Sequence, residues 1–161
     1  MTVLTETDRF ACSKFRDIAE GIADYIRSLG CFDGRSDITV IVEDKGVIEK
    51  EIAQAMSFGG VCIIVGITGF DRRSQSGPLV TGTLKFELRI IERVAINRGH
   101  QGAMTVQEAA EHLARGLHWE NVGGLDSPLL FQDFSREDSD EFNIVRMNFS
   151  GEASLGMKTN N

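Results

Sequence analysis

A chain of 161 residues, 42% hydrophobic and 25% charged, supports one ordinary core in a single domain over 1–161 and excludes a wholly disordered or fibrous protein. Its net charge of −7 and pI near 5.0 disfavour nonspecific adhesion to nucleic acid or anionic membrane, because such binding is driven by neutralising phosphates. No apolar run approaches the ~18 residues of a membrane span, and Met1 to Glu6 lacks the basic start and apolar stretch of a signal peptide, which predicts folding in the compartment of synthesis.

Residues 1–7 and 156–161 read as flexible ends. Between them, the first element is a helix from about Asp8 to Leu29. Phe15, Ile18, Ile22, Ile26 and Leu29 recur at three- and four-residue steps with Cys12 and Ala19 on the same stripe, Thr7 or Asp8 can cap it, and Gly30 stops it. Asp37 to Glu43 follows as a strand in which Ile38, Val40 and Val42 share one face. Val47, Ile48, Ile52, Ala55 and Met56 fit a short second helix closed by Gly59-Gly60. Val61 to Thr68 is β-branched and apolar at both parities, which predicts a central strand covered on both faces.

Gly69 to Leu79 reads as a loop and Val80 to Ile96 as the longest strand. Leu84, Phe86, Leu88 and Ile90 alternate there with Thr83, Lys85, Glu87 and Arg89, the pattern of one buried and one wet face. The adjacent pair Ile90-Ile91 breaks that parity and predicts a β-bulge or bend. Thr105-Val106-Gln107-Glu108 is a capping box opening a helix to about His118, whose buried stripe is Val106, Ala110, Leu113 and Leu117. Strands near Leu130 to Ser135 and Phe142 to Gly151 close the chain as a hairpin across the turn of residues Arg136 to Asp140. The fold class expected is therefore α+β, a mainly antiparallel sheet with two long hairpins and helices packed on one side.

Motifs for chemistry are missing where they would be expected. Gly66, Gly69 and Gly77 follow a hydrophobic strand but lack the Gly-Lys-Ser/Thr end of a phosphate loop and the close spacing of a dinucleotide turn, so they read as turn glycines. His112 and His118 lie six positions apart and point to different helix faces, unlike a zinc pair, and His100 stands apart from both. The acidic turn Glu137, Asp138, Asp140 and Glu141 lacks EF-hand spacing. Cys12, Cys31 and Cys62 form no CxxC pair and read as reduced, mostly buried thiols. Trp119 reads either as an interface anchor or as a helix-end core residue. No catalytic residue, cofactor or metal is expected, and the chain is expected not to be an enzyme. The candidate contacts are Arg72 and Arg73, adjacent arginines in a glycine-flanked loop, and the wet row Lys85, Glu87 and Arg89, read as solvated or subunit-facing.

In element order and strand texture the chain resembles the tail terminator (tail completion) proteins of long-tailed bacteriophages. The resemblance rests on the amphipathic helix ending at Leu29-Gly30, the edge-like strand Asp37 to Glu43 and the strand Val61 to Thr68. It continues through the charge-alternating strand from Gly82 to Ile90, the helix opened by Thr105-Val106-Gln107-Glu108, and the closing hairpin ending at Phe149. It implies a virion protein made in the host cytoplasm, a ring-forming subunit, most often a homohexamer, at the head-proximal end of the tail tube. The implied partners are further copies of itself, the tail tube protein, a head-completion or neck protein, the sheath where the tail contracts, and DNA passing through the lumen without specific binding. Asp44 to Gly60 is longer than the direct strand-to-strand connection that the resemblance implies. A small binding module of cellular origin and an enzyme with dispersed residues are the alternative readings.

Overall fold

The computed structural model describes residues 13–43, 50, 52–54, 60–73, 79–97, 99 and 103–155. In chain order these form helix α1 (Lys14–Ser28), strand β1 (Ile38–Glu43), strand β2 (Val61–Arg72) and strand β3 (Val80–Arg93). A single helical turn α2 (Val94–Asn97), helix α3 (Val106–Leu117), strand β4 (Leu130–Asp138) and strand β5 (Phe142–Leu155) complete them. The protein is α+β, as the sequence predicts.

The five strands make one sheet in the order β1-β2-β3-β5-β4. Only β1 and β2 run parallel; β2–β3, β3–β5 and β4–β5 are antiparallel. The parallel pair follows from the long connection between β1 and β2, since two parallel neighbours need a crossover and cannot be joined by a tight turn. Residues 50 and 52–54 of that connection are helical, in agreement with the expected second helix, and the rest of it lies outside the described residues.

α1 and α3 pack side by side on one face of the sheet. Ile18, Ile22 and Ile26 from α1, and Val106, Ala109, Leu113 and Leu117 from α3, share one buried cluster with Val61, Ile63 and Val65 of β2, Leu84, Phe86, Leu88 and Ile90 of β3, and Val145, Met147 and Phe149 of β5. Gly116 of α3 leaves room for the Leu29 side chain that caps α1: a Cβ there would sit 3.0 Å from Leu29 Cδ1. Phe86 and Phe149 stack with ring centroids 5.4 Å apart, and Phe131 leans on Phe149 at the same distance. On the opposite face, Cys62 and Ile64 are buried under Ile41, Ile52, Ile91 and Phe142. This second, smaller cluster is why β2 is apolar at both parities.

Four expectations are corrected. The first helix opens at Lys14, where the Ser13 side chain accepts from Arg16 N, and not at Asp8; Thr7, Asp8 and Cys12 lie outside the described residues. The pair Ile90-Ile91 makes no bulge, because pairing to β2 and β5 runs unbroken through Glu92; Ile91 simply faces the second cluster. The strand then ends at Arg93, and Val94–Asn97 turns helical instead of extending it. The Gly69-to-Leu79 loop is narrower than expected, since Gly69, Phe70, Asp71 and Arg72 are ladder residues opposite Lys85, Leu84, Thr83 and Gly82.

The capping box is present: Thr105 Oγ1 accepts from Glu108 N at 3.2 Å, and Thr105 N donates to Glu108 Oε2 at 3.4 Å. Thr105→Ala is expected to lower unfolding stability by about 1 kcal/mol, read from the shift in a urea denaturation midpoint at unchanged slope.

Candidate functional site

The alternation that buries Leu84, Phe86, Leu88 and Ile90 against the helices turns Thr83, Lys85, Glu87 and Arg89 to the opposite, outer face. β5 has the same period. Val145, Met147 and Phe149 point inward, so Arg146, Asn148, Ser150 and Glu152 line the outer face beside the β3 row, with Arg146 opposite Arg89 and Glu152 opposite Thr83.

The expected row is thereby brought together, but not as bare charge. Arg89 Nη2 donates to Glu43 Oε2 at 2.6 Å, joining β3 to β1 across β2. Glu87 Oε1 lies between Arg89 at 3.5 Å and Arg146 at 3.6 Å. Lys85 pairs with Asp71 at 2.6 Å, and Arg73 with Glu152 at 3.3 Å. Glu43 reaches Arg89 because Gly66 leaves its path open; a Cβ at Gly66 would lie 3.2 Å from Glu43 Oε2. These residues act first as a clamp across four strands, in which each charge meets its opposite. Among the described residues Arg72 makes no ion pair and is exposed.

Two register shifts lie at the same level of the sheet on either side of the β3–β5 pair. In β2 the shift falls between Ile67 and Gly69, and in β4 between Phe131 and Asp133. Each inserts one residue, Thr68 or Gln132, so that two residues of the bulged strand oppose one of the partner and the strand bends. A cleft of about 420 Å³ opens there on the outer face, lined among others by Thr68, Thr83, Lys85, Gln132, Asp133 and Asn148. Gln132 Nε2 donates to Ser150 Oγ at 2.7 Å and Asn148 Nδ2 to Asp133 Oδ1 at 2.7 Å. The sequence carries a signal for both bulges that the strand reading passed over. Inward apolar residues stand three apart, Ile67 to Phe70 and Phe131 to Phe134, where an unbroken strand would space them by two.

The two edges of the sheet differ. At β1, Arg27 Nη2 donates to Val40 O at 2.8 Å and so occupies part of the open edge. At β4, every residue from Gln132 to Asp138 is exposed, including Phe134 at 58%. The acidic turn after β4 is closed locally, with Ser139 N donating to Phe142 O at 2.7 Å.

The remaining residues singled out by sequence take structural places. His118 Nδ1 accepts from Phe131 N at 3.0 Å, fixing the end of α3 to the start of β4. His112 meets the Phe32 ring edge-on, and His100 lies outside the described residues. Trp119 is 66% exposed and holds a left-handed φ of 70°, stabilised by the bond from its N–H to Leu129 O. A tryptophan there is costly for the backbone and is placed outward, not in the core. Cys62 is fully buried, and burial pushes its thiol up to about 12 against the opposing pull of the Arg89 guanidinium. Burial likewise raises the Cys31 thiol. Neither thiol is tuned as a nucleophile. Among the described residues no group of three or more His, Cys, Asp or Glu side chains gathers as a metal site, and no helix is long and apolar enough to cross a membrane.

No family model and no curated protein matches the chain. A solved structure that is 12% identical aligns over 91% of this chain and 96% of its own with a TM-score of 0.49, a likeness too slight to bear on function.

Two outcomes follow. A double-mutant cycle on Glu43→Gln and Arg89→Met is expected to give a coupling of about 1 kcal/mol that shrinks as salt is raised, since both side chains are less than a third exposed. Because the folded Cys62 keeps its proton to about 12 while the unfolded thiol ionises near 9, the unfolded state binds fewer protons across that window. Stability therefore falls with rising pH above about 9, by up to about 1.4 kcal/mol per unit from this group. Cys62→Ala should remove that part of the slope in pH-dependent denaturation curves.

Proposed function

We propose that this chain is a virion assembly protein, a tail terminator whose copies close into a ring, a homohexamer, capping the tail tube and joining the tail to the head. The observation that carries the reading is the exposed β4 edge. It is long and open, yet charged at Asp133, Arg136, Glu137 and Asp138 and kinked by a bulge, features that guard an edge against indiscriminate pairing while leaving it free for one specific contact. The opposite edge, β1, is shaped differently and partly covered by α1. Unlike surfaces at two ends of one subunit suit head-to-tail contacts, and a head-to-tail contact repeated around an axis closes into a ring.

The order of helix, strand, crossover, hairpin, helix and hairpin supports the resemblance to tail terminators. In that role the tail tube protein binds one side of the ring and a head-completion or neck protein the other, with the sheath as a further partner in a contractile tail. An acidic ring would let DNA pass through its lumen without holding it, because it offers few cations for phosphate.

The test is mass and shape together. Light scattering on the purified chain, with and without tail tube protein, should show a closed oligomer of six copies, and negative-stain images should show rings that stop tube growth when added. A chain that stays monomeric at all concentrations and leaves tube length unchanged overturns the reading.

A further inference from the structure

The cleft at the two bulges and the free end of the first hairpin carry complementary features. Asp133 uses Oδ1 to accept from Asn148, and among the described residues it has no cationic partner. Lys85, the cation of the cleft, is already neutralised by Asp71 at 2.6 Å, so Asp133 sets the sign of the site. Gln132, whose Nε2 is spent on Ser150, leaves its amide oxygen as a second acceptor beside it. Two neighbouring acceptors, one of them charged, match the planar fork of a guanidinium.

Arg72 ends β2 opposite Gly82 and is exposed, whereas Arg73, Lys85, Arg89 and Arg146 each have a carboxylate. Beside it Leu79 and Val80 are 43% and 38% exposed, whereas Phe134, 58% exposed, follows Asp133 in sequence but takes the opposite, helix-side face of β4. Arg72, without an ion pair among the described residues, thus joins a charge to exposed apolar surface, the composition of a protein contact, while Asp133 offers a charged acceptor in the polar cleft. The two cannot meet within one subunit. β3 and β5 lie between β2 and β4, a span of roughly 14 Å at the usual strand spacing, and Arg72 follows the parity of the inward residue Phe70 while Asp133 lies on the outer face.

We propose that Arg72 of one copy inserts into the bulge cleft of a second copy and pairs with Asp133. This rests on the ring reading and names the contact that would build the ring. The bulges then have a purpose: each adds a residue to the outer face at one level, and together they bend the polar face into a receptor for a side chain from the neighbour.

The experiment reverses the charges. Arg72→Glu, Asp133→Arg and the double variant are compared with the wild type by analytical ultracentrifugation, with circular dichroism melting to confirm folding. Asp133→Asn serves as a shape-preserving control that keeps an acceptor for Asn148. Each single change, Asp133→Asn included, should weaken self-association at least about tenfold, and the double reversal should regain most of the loss. A wild-type ring that forms equally well with either single variant overturns this contact and leaves the ring reading standing, as does loss in both singles without recovery in the double. A monomeric wild type overturns both.

Discussion

The two-residue period of β3 is the constraint on which the rest of the molecule depends. β3 is the middle strand of the sheet and pairs along almost its whole length with β2 on one side and β5 on the other. Its inward residues Leu84, Phe86, Leu88 and Ile90 are all fully buried, so a slip of one residue would bury Lys85, Glu87 and Arg89 and expose four large apolar groups. That penalty fixes the register of both neighbours. Fixed register places Phe149 on Phe86, Arg146 beside Glu87, and Glu152 within reach of Thr83 and Arg73.

The outer face shows how charge is used once register is set. Isolated surface ion pairs contribute little, but here Glu43, Arg89, Glu87 and Arg146 are linked in series across β1, β3 and β5. The series holds β1 to a strand with which it shares no backbone pairing. Beside it, Cys62 and Ile64 are shielded on the side the long helices do not cover. The ions are therefore a tie between strands on the face where Ile41, Ile52, Ile91 and Phe142 cover that small cluster.

Most of the fold was legible in the sequence because it is written in periods. The alternation in β3, the capping box at Thr105 and the both-parity burial of Val61 to Val65 each reflect one local rule with one solution, and the structure follows them. The misread places are those where a local pattern had two solutions. Ile90-Ile91 fits a bulge or a strand with apolar cover on its second face, and only the position of Cys62 and Phe142 decides for the latter. For the candidate site, Lys85, Glu87 and Arg89 were found as a row, but their partners Glu43, Asp71 and Arg146 come from other strands and depend on strand order, which periodicity does not encode. Asp133 was invisible as a site residue for the same reason: its meaning comes from Thr68, sixty-odd positions earlier, standing at the same level of the sheet.

The strand order also constrains how the chain comes to its fold. The β2–β3 and β4–β5 pairs are local hairpins, but the seam that joins them, from Val80 against Leu155 to Arg93 against Phe142, is assembled from segments far apart in the chain. Closing that seam must wait for the last strand, since loop closure is costly before the contacts that reward it exist. Until β5 arrives, β3 presents an unpaired backbone edge and half of the central aromatic stack. A chain emerging from the ribosome therefore passes through a stage in which the middle of its future sheet is a sticky border, and the closing strand is what turns that border into the interior.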